Sequence, residues 1–285
     1  MEKRFLSEGD IKKLKYVKVA DPGIDVSHFP DFMIVGPLRT GSTWLYKNLE
    51  KHPEIFFSDP KEIHYFYTLT YPDDPLYISD DLSWYMSFFY DTSVTFSNKT
   101  QKALNKYKER YEPKVRGEGS ATYAILKTEI IKEIVILNPE IKIILMIRNP
   151  VDCAWSHTKL RFMMQGGKKY SDIPDQVLEK FFHEDYMIAF GHYTLQIENW
   201  SAFLRQDNLF IGYFDDIRSS PEDLLLRIYR FIGVSSDLKY IGHSTHEIIN
   251  KSESIDIPQR YKEMLKEIFA DELKRLKANY GLSWE

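Results

Sequence analysis

A glycine-bounded segment, residues 36–43, has the length and composition of a phosphate-binding loop. Its sequence is Gly-Pro-Leu-Arg-Thr-Gly-Ser-Thr, and it lies between an apolar run, 32–35, and a predicted helix, 43–51. Backbone N–H groups at a helix N-terminus attract anions, and the Ser and Thr hydroxyls add donors. A nucleoside-triphosphate loop has a lysine where this chain has Ser42, and the cation here is Arg39. The segment predicts anion binding and argues against a kinase or an ATPase; a glycine turn without a ligand is the alternative.

A second candidate anion site follows the apolar run 141–147. Arg148 stands at the predicted end of that strand, and Asn149-Pro150 is typical of a helix N-cap followed by proline at the first helical position. Ser156 then lies about two turns into the helix. A guanidinium at the strand tip and a hydroxyl on the helix could hold one phosphate between them. Taken singly, the arginine would more simply pair with a carboxylate and the serine would be exposed.

Together the two segments resemble the nucleotide-binding motifs of sulfotransferases that use 3′-phosphoadenosine 5′-phosphosulfate (PAPS). Residues 36–45 are similar to the family's loop for the 5′-phosphosulfate, in which a lysine or arginine precedes T/S-G-T/S-T. Residues 148–156 are similar to its 3′-phosphate motif, R-N/D-P-x-D/E-x-A/C-Y/W-S. The resemblance covers roughly residues 31–284 and implies PAPS as the donor, with no metal required. It implies that these residues of the two motifs bind the donor: Arg39, Thr40, Gly41, Ser42, Thr43, Trp44, Arg148 and Ser156.

Two later segments extend the similarity. Residues 191–200 resemble the family's G-x-Y-x-x-x-L/I-x-x-W helix, which implies a contact between Tyr193 and the nucleotide; packing in the core is the equal alternative. The segment around 250–252 could close over the adenine and the 3′-phosphate, with Lys251 as its cation.

The segment 60–66, Pro-Lys-Glu-Ile-His-Tyr-Phe, resembles the part of Golgi-type carbohydrate sulfotransferases and their bacterial relatives that carries a glutamate base. In-line sulfuryl transfer requires removal of the acceptor's proton and stabilisation of charge on the leaving group. The resemblance implies Glu62 as the general base, with His64 as the alternative because imidazole titrates near neutral pH. Lys61 and Arg39 are the candidates for neutralising the leaving group. A surface ion pair for the glutamate and a core position for the histidine are the readings without catalysis.

The segment 117–123 departs from the family pattern. Its sequence, Gly-Glu-Gly-Ser-Ala-Thr-Tyr, resembles G-E-K/A-S-P-x-Y, but Gly119 stands where several members have a catalytic lysine. The charge of the leaving group would then be met by Arg39, Lys61 or a backbone donor. Ser120 could still touch the donor or the acceptor. The departure keeps open a relative that binds the nucleotide without catalysis.

The elements that must position these residues follow an α/β pattern. Four short apolar runs predict buried strands, at 32–35, 114–116, 141–147 and 209–214. A helix is predicted after each of them, at 43–51, 123–137, from 150 and from 221 to Gly233. Strands alternating with helices predict a central parallel sheet flanked by helices, and ligands of such folds bind beyond the carboxyl ends of the strands. The resemblance implies, more narrowly, the P-loop-like sulfotransferase fold.

Length and composition indicate one domain over residues 1–285, with an N-terminal extension at 1–30 and a probable insertion near the acceptor site at 71–110. The net charge of -4 argues against general nucleic-acid binding, which needs a basic face. The single cysteine, the absence of a signal-peptide core and the lack of a long apolar stretch predict a cytoplasmic protein without a membrane span. The acceptor stays open: an aromatic segment, 84–90, could line a pocket for a lipid, phenol or other small molecule, whereas the base motif suggests a glycan.

Overall fold

A five-stranded sheet forms the centre of the protein in the computed structural model, which describes residues 3–242, 245 and 255–284. All pairings are parallel, and the strand order is β2-β3-β1-β4-β5. The strands are β1 Phe32–Ile34, β2 Ile55–Phe57, β3 Val115–Gly119, β4 Lys142–Ile147 and β5 Leu209–Tyr213. The predicted α/β class with a central parallel sheet is therefore confirmed.

Helices connect and cover the strands. The α-helices in the described part of the chain are α1 Glu8–Ile11, α2 Ser42–Leu49, α3 Tyr65–Thr68, α4 Leu82–Met86, α5 Ser93–Tyr107, α6 Thr128–Leu137, α7 Pro150–Thr158, α8 Asp175–Phe182, α9 Asp185–Gly191, α10 Tyr193–Ser201, α11 Asp216–Ser219, α12 Pro221–Ile232, α13 Gln259–Ile268 and α14 Ala270–Tyr280. A π-helical segment, Lys159–Gln165, continues α7, and short 3-10 turns include Ala121–Ile125 before α6. Within these ranges no helix has the length and apolar character needed to cross a bilayer.

Side chains of the central strands alternate between two hydrophobic clusters, one on each face of the sheet. The first cluster takes Met33, Ile143, Leu145 and Ile147 and packs against α6 and α10. The second cluster takes Phe32, Ile34, Ile144 and Met146 and packs against α2 and α12. Because both faces of the sheet are covered, functional groups can be exposed together only at the ends of the strands. Here they lie at the carboxyl ends.

Two predicted elements differ more than the others from the structure in their bounds. The helix predicted for 123–137 is a 3-10 turn followed by α6, because Leu126 and Lys127 are both extended, with ψ of 143° and 146°. The strand predicted for 114–116 continues to Gly119. Gly117 is required within it, since a Cβ at that position would lie 2.2 Å from Cζ of Phe32.

The N-terminal extension is bound tightly to the domain. Glu133 of α6, 3% exposed, accepts hydrogen bonds from the backbone N–H groups of Lys15, Tyr16 and Val17, at 2.6, 3.0 and 2.8 Å. The aromatic segment 84–90 also contributes to the core, where Tyr85, Met86 and Phe89 are buried. Most of that segment therefore stabilises the fold, and only its remaining side chains are available to line a pocket.

Candidate functional site

The loop between β1 and α2 is a tight turn that passes close to β4. A Cβ on Gly36 would lie 2.9 Å from the backbone N of Met146, so only glycine allows the loop to pass this close to β4. Gly41, the N-cap of α2, has φ of 96°, and no side chain caps the helix there. Thr40 Oγ1 donates to the carbonyl of Pro37 at 2.7 Å. The first amides of α2, with the side chains of Ser42 and Thr43 in its first turn, are therefore the groups at which the sequence predicts anion binding, and that binding stays a prediction.

The two predicted anion motifs meet in the structure. Arg39 Nε donates to Ser156 Oγ at 2.8 Å, and Arg148 Nη1 donates to the carbonyl oxygen of Arg39 at 3.2 Å. The Arg148 guanidinium also lies 4.3 Å from the ring centroid of Phe214, a cation–π contact. Parallel pairing of β1 with β4 explains the meeting, because it sets the carboxyl ends of both strands side by side.

A third cation joins this cluster from the π-helical segment. Burial lowers the pKa of Lys159, and the positive charges of Arg148 and Arg39 lower it further. Burial and the charge of Arg148 likewise lower the pKa of Arg39. A cluster of mutually repelling cations at the carboxyl end of a sheet is a candidate site for a polyanion.

Two aromatic residues of the motifs are buried beside the site. Trp44 is buried, and its Nε1 donates to the carbonyl of Thr245 at 2.9 Å. Tyr193 is fully buried beside Cys153 and Arg148. Contacts of these two residues with a nucleotide stay predictions. Lys251, the other residue expected at the donor, lies outside the described residues.

The candidate base lies at the carboxyl end of β3, the strand on the other side of β1. Glu62 Oε2 accepts a hydrogen bond from the amide of Ala121 at 2.8 Å, and its own amide donates to the carbonyl of Gly119 at 3.0 Å. Lys61 forms an ion pair with the same carboxylate, and 26% of the Glu62 side chain is exposed. The carboxylate is therefore fixed at one oxygen by the backbone while it remains accessible.

His64 follows in the same turn but points to a different partner. Its Nδ1 lies 3.0 Å from Oγ1 of Thr122, and the ring is half-buried. Burial lowers the pKa of this imidazole, which favours its neutral form. Glu62 and His64 both have left-handed backbone conformations, with φ of 66° and 60°. Such conformations are unfavourable for residues other than glycine and are found mostly where function requires them.

The space at Gly119 is occupied by the neighbouring lysine. A Cβ on Gly119 would lie 3.8 Å from Cε of Lys61 and 3.7 Å from Cδ2 of Tyr46, which are ordinary contact distances. The Lys61 side chain thus lies over the position from which several relatives present a lysine. Sequence spacing alone could not reveal this, because the two positions are 58 residues apart.

Glu118 is a further buried acid that the motif analysis did not single out. It is fully buried, with Oε1 accepting from Ser120 Oγ at 2.9 Å and Oε2 accepting from the Tyr85 hydroxyl. Burial raises the pKa of this carboxyl to about 7, although the surrounding hydroxyls act in the opposite direction. A glutamate between two glycines at the end of a strand was the available signal.

Most of the chain is similar to known proteins. Residues 29–277 match the model of the family described as sulfotransferase domain. Among curated proteins, the chain is 25% identical over 237 residues to the mouse bifunctional heparan sulfate N-deacetylase/N-sulfotransferase 4, and 25% identical over 227 residues to the human enzyme numbered 2 in that series. The matches cover 75% and 74% of this chain but only 23% of each relative. The chain thus spans about a quarter of the length of these relatives.

Solved structures share the fold. A sulfotransferase from Alicyclobacillus acidocaldarius superposes with a TM-score of 0.64 at 21% identity, over 90% of this chain and 97% of that one. Mouse sulfotransferase SULT7A1, solved in complex with PAP, superposes with a TM-score of 0.52 at 15% identity, over 95% of this chain and 91% of that one. These likenesses show the fold of the chain, including the sheet that brings the two anion motifs together.

The raised pKa of Glu118 leads to a prediction about stability. A carboxyl whose pKa rises from 4.5 to about 7 on folding binds a proton in the folded chain and releases it on unfolding, so stability falls as pH rises through that window. We expect Glu118→Gln, which does not titrate, to gain stability relative to the parent chain between pH 5 and pH 8, by up to about 3 kcal/mol. Urea unfolding at both pH values measures the difference in the free energy of unfolding between the variant and the parent chain. Glu129→Gln, at an exposed position of α6, is the control. If the difference for Glu118→Gln changed between pH 5 and pH 8 no more than the difference for the control, the prediction would be contradicted.

Proposed function

The chain belongs to the sulfotransferase domain family, and from that premise we propose that it transfers a sulfuryl group from PAPS to an acceptor hydroxyl or amine. The observation that carries the proposal is the hydrogen bond between Arg39 and Ser156, with Arg148 bonded to the same loop. A ligand with anionic groups at two ends of a ribose matches a cation cluster built from two separate loops. The PAP bound to mouse SULT7A1 is a nucleotide of this kind.

The donor is proposed to span the two loops. Its 5′-phosphosulfate would lie on the amides of α2 with Arg39, and its 3′-phosphate would take Arg148 and Ser156. The Ser156 hydroxyl accepts from Arg39 and still has its own proton to donate to the phosphate. Lys159 adds a third positive charge close by. A nucleoside triphosphate is the alternative ligand, but the loop has Ser42 where a triphosphate loop has its lysine. A catalytically silent relative would share this donor site and would differ only in the base.

Glu62 is proposed as the general base. In the transfer, the acceptor oxygen or nitrogen forms a bond to sulfur while the bond from sulfur to the bridging oxygen breaks, and the acceptor's proton passes to the carboxylate. The amide of Ala121 holds Oε2 of the carboxylate, and Oε1, which now pairs with Lys61, would take that proton once the lysine has moved away. His64 is the alternative base, and its neutral form could accept a proton at Nε2 while Nδ1 contacts Thr122.

Lys61 is proposed to stabilise the leaving group. The bond that breaks leaves negative charge on the 5′-phosphate of PAP, and an ammonium group near that oxygen lowers the barrier. Lys61 reaches across Gly119 and now pairs with Glu62. Its transfer to the phosphosulfate would release the carboxylate as it supplies the positive charge.

The acceptor is proposed to approach over helix α3. Beyond His64, the ring of Tyr67 lies 5.0 Å from that of Tyr71, and the Asp74 carboxylate is within electrostatic range of both Tyr67 and His64. Aromatic rings beside a carboxylate suit a sugar that carries an amine or hydroxyls. The curated relatives act on heparan sulfate by name. We therefore propose a glycan amine or hydroxyl as acceptor, and the assays below use an N-deacetylated heparan-type oligosaccharide, with 4-nitrophenol for comparison.

Donor binding requires both arginines. We expect Arg39→Ala and Arg148→Ala each to weaken binding of adenosine 3′,5′-bisphosphate by about 10- to 100-fold, because each removes charge-assisted hydrogen bonds to a phosphate. Calorimetric titration measures the change, with ATP as competitor ligand and Arg205→Ala, at an exposed ion pair with Glu140, as control. Tighter binding of ATP than of the bisphosphate would reject the proposed donor.

Turnover requires the carboxylate of Glu62. We expect Glu62→Gln to bind adenosine 3′,5′-bisphosphate normally and to lose roughly 10²- to 10⁴-fold in kcat, because the amide cannot accept the acceptor's proton. Transfer of labelled sulfate to the acceptors measures kcat. His64→Gln, made in parallel, tests the alternative base: normal turnover by Glu62→Gln together with loss in His64→Gln would reassign the role.

Lys61 can be tested by moving the lysine. We expect Lys61→Ala to lower kcat by about 10²-fold, and the double variant with Gly119→Lys to recover at least tenfold, because the vacated space admits a side chain from β3. The same sulfate-transfer assay measures both. Gly119→Leu in the Lys61→Ala background is the control for bulk without charge. Equal rates for the leucine and lysine double variants would contradict a leaving-group role.

A further inference from the structure

We propose that Glu118 is a positioning residue, which acts through a cluster of buried hydroxyls. It holds residues 62–66, here called the base turn, in the reactive conformation; the base turn includes Glu62, His64 and the start of α3. The inference rests on the proposed role of Glu62 as base and adds a residue that does not touch the reacting atoms. The supporting groups are buried between β3 and helices α3 and α4, beneath the partly exposed carboxylate of Glu62.

The cluster is built around the buried carboxyl. Oε2 of Glu118 accepts from the Tyr85 hydroxyl of α4, and Oε1 accepts from Ser120 Oγ at 2.9 Å. The Tyr123 hydroxyl also faces the carboxyl, and the charge of Glu62 is close enough to affect it. These are the groups that face Glu118 from β3, the 3-10 turn, α4 and the base turn. Each hydroxyl that donates to the carboxyl can still accept a hydrogen bond from elsewhere.

Two of these hydroxyls accept from the backbone of the base turn. The amide of His64 donates to Ser120 Oγ at 3.4 Å, and the amide of Phe66 donates to the Tyr123 hydroxyl at 3.2 Å. The amide of Glu62 donates to the carbonyl of Gly119, the residue after Glu118. Three amides of the turn, at alternate positions, are thus tied to the end of β3 and to the hydroxyls around Glu118.

The turn needs such support because of its backbone. Glu62 and His64 both have positive φ, and the surrounding structure must hold residues of this kind in a conformation that they would otherwise leave. Burying a carboxyl also opposes folding, since an apolar side chain would fill the same space without desolvation. Burial of the Glu118 carboxyl and the positive φ of the adjacent turn both oppose folding. Their occurrence side by side is explained if the carboxyl orients the hydroxyls that hold the turn.

Ser120→Ala tests the link with a small change. We expect kcat to fall by about tenfold while the affinity for adenosine 3′,5′-bisphosphate changes by less than twofold, because the base turn is loosened and the donor loops are not. Ser58→Ala is the matched control: Ser58 is equally buried at the end of β2, and within the described residues its Oγ has no hydrogen-bond partner. Equal effects of the two variants on kcat, or an equal fall in donor affinity and kcat for Ser120→Ala, would overturn the proposal.

Glu118 itself is tested by two replacements. Glu118→Gln keeps an acceptor oxygen and should retain kcat within about threefold, whereas Glu118→Met removes every acceptor and should lower kcat by more than tenfold. Rescue by the conservative variant distinguishes positioning from bulk packing. Equal kcat in the two variants would contradict the proposal, and Ser120→Ala keeps it testable if Glu118→Met does not fold.

Amide hydrogen exchange separates this inference from the proposed function. We expect peptides covering 60–68 to exchange at least tenfold faster in Ser120→Ala than in the parent chain, while peptides covering 142–147 are unchanged. The measurement needs neither donor nor acceptor. If exchange is faster in Ser120→Ala but the parent chain does not transfer a sulfuryl group, the proposed function is rejected and the positioning role stands. If the parent chain is active but exchange is unchanged in Ser120→Ala, the positioning role is rejected and the proposed function stands.

Discussion

The hydrogen bond from Arg39 to Ser156 joins two loops that are 117 residues apart in the chain, and the candidate site depends on it. The bond is possible because β1 lies between β3 and β4 in a parallel sheet, so that the carboxyl ends of all three strands lie at the same end of the sheet. The candidate donor loop follows β1, Arg148 and Ser156 follow β4, and the end of β3 contacts the candidate base. A different strand order would separate these three functions even with every motif residue unchanged.

The same edge must hold positive charges close together before any ligand arrives. Arg39 is turned inward by a left-handed backbone with φ of 69°, and Arg148 is held between the ring of Phe214 and the carbonyl of Arg39. Burial and mutual repulsion lower the pKa of Arg39 and of Lys159. Because the cations repel one another, a bound anion would lower the electrostatic energy of this cluster.

The sequence was sufficient for the parts of the site that depend on strand order and local motifs. The parallel sheet and the loop after β1 follow from buried runs and their junctions, and the motif resemblance assigned Arg39, Arg148 and Ser156 to one donor. The direct contact between Arg39 and Ser156 was not predicted, because the sequence paired that serine with Arg148. Strand β2 was not predicted, because a three-residue run, Ile55–Phe57, carries too little periodicity. The left-handed backbone of Glu62 also has no local signal, since glycine is the residue that marks such positions and it is absent there. Tertiary contacts alone reveal that Trp44 and Tyr193 are buried behind the site.

The lysine of the family pattern is absent at Gly119, and the sequence left open whether Arg39, Lys61 or a backbone donor replaces it. Gly119 removes a cation from β3, but it also leaves open the space beside which Lys61 extends, with Cε 3.8 Å from where a Cβ would lie, so a lysine from another segment is present at this end of β3. The new position has a consequence that the strand position would lack: Lys61 is adjacent to Glu62 and pairs with it. Under the proposed function, the base is then occupied until another anion attracts the lysine, and the donor's phosphosulfate is such an anion. An acceptor that arrived first would meet a carboxylate already engaged by a cation, whereas one that follows the donor would meet a free base. The geometry therefore favours binding of the donor before activation of the acceptor, and this order results from the contact between two adjacent residues.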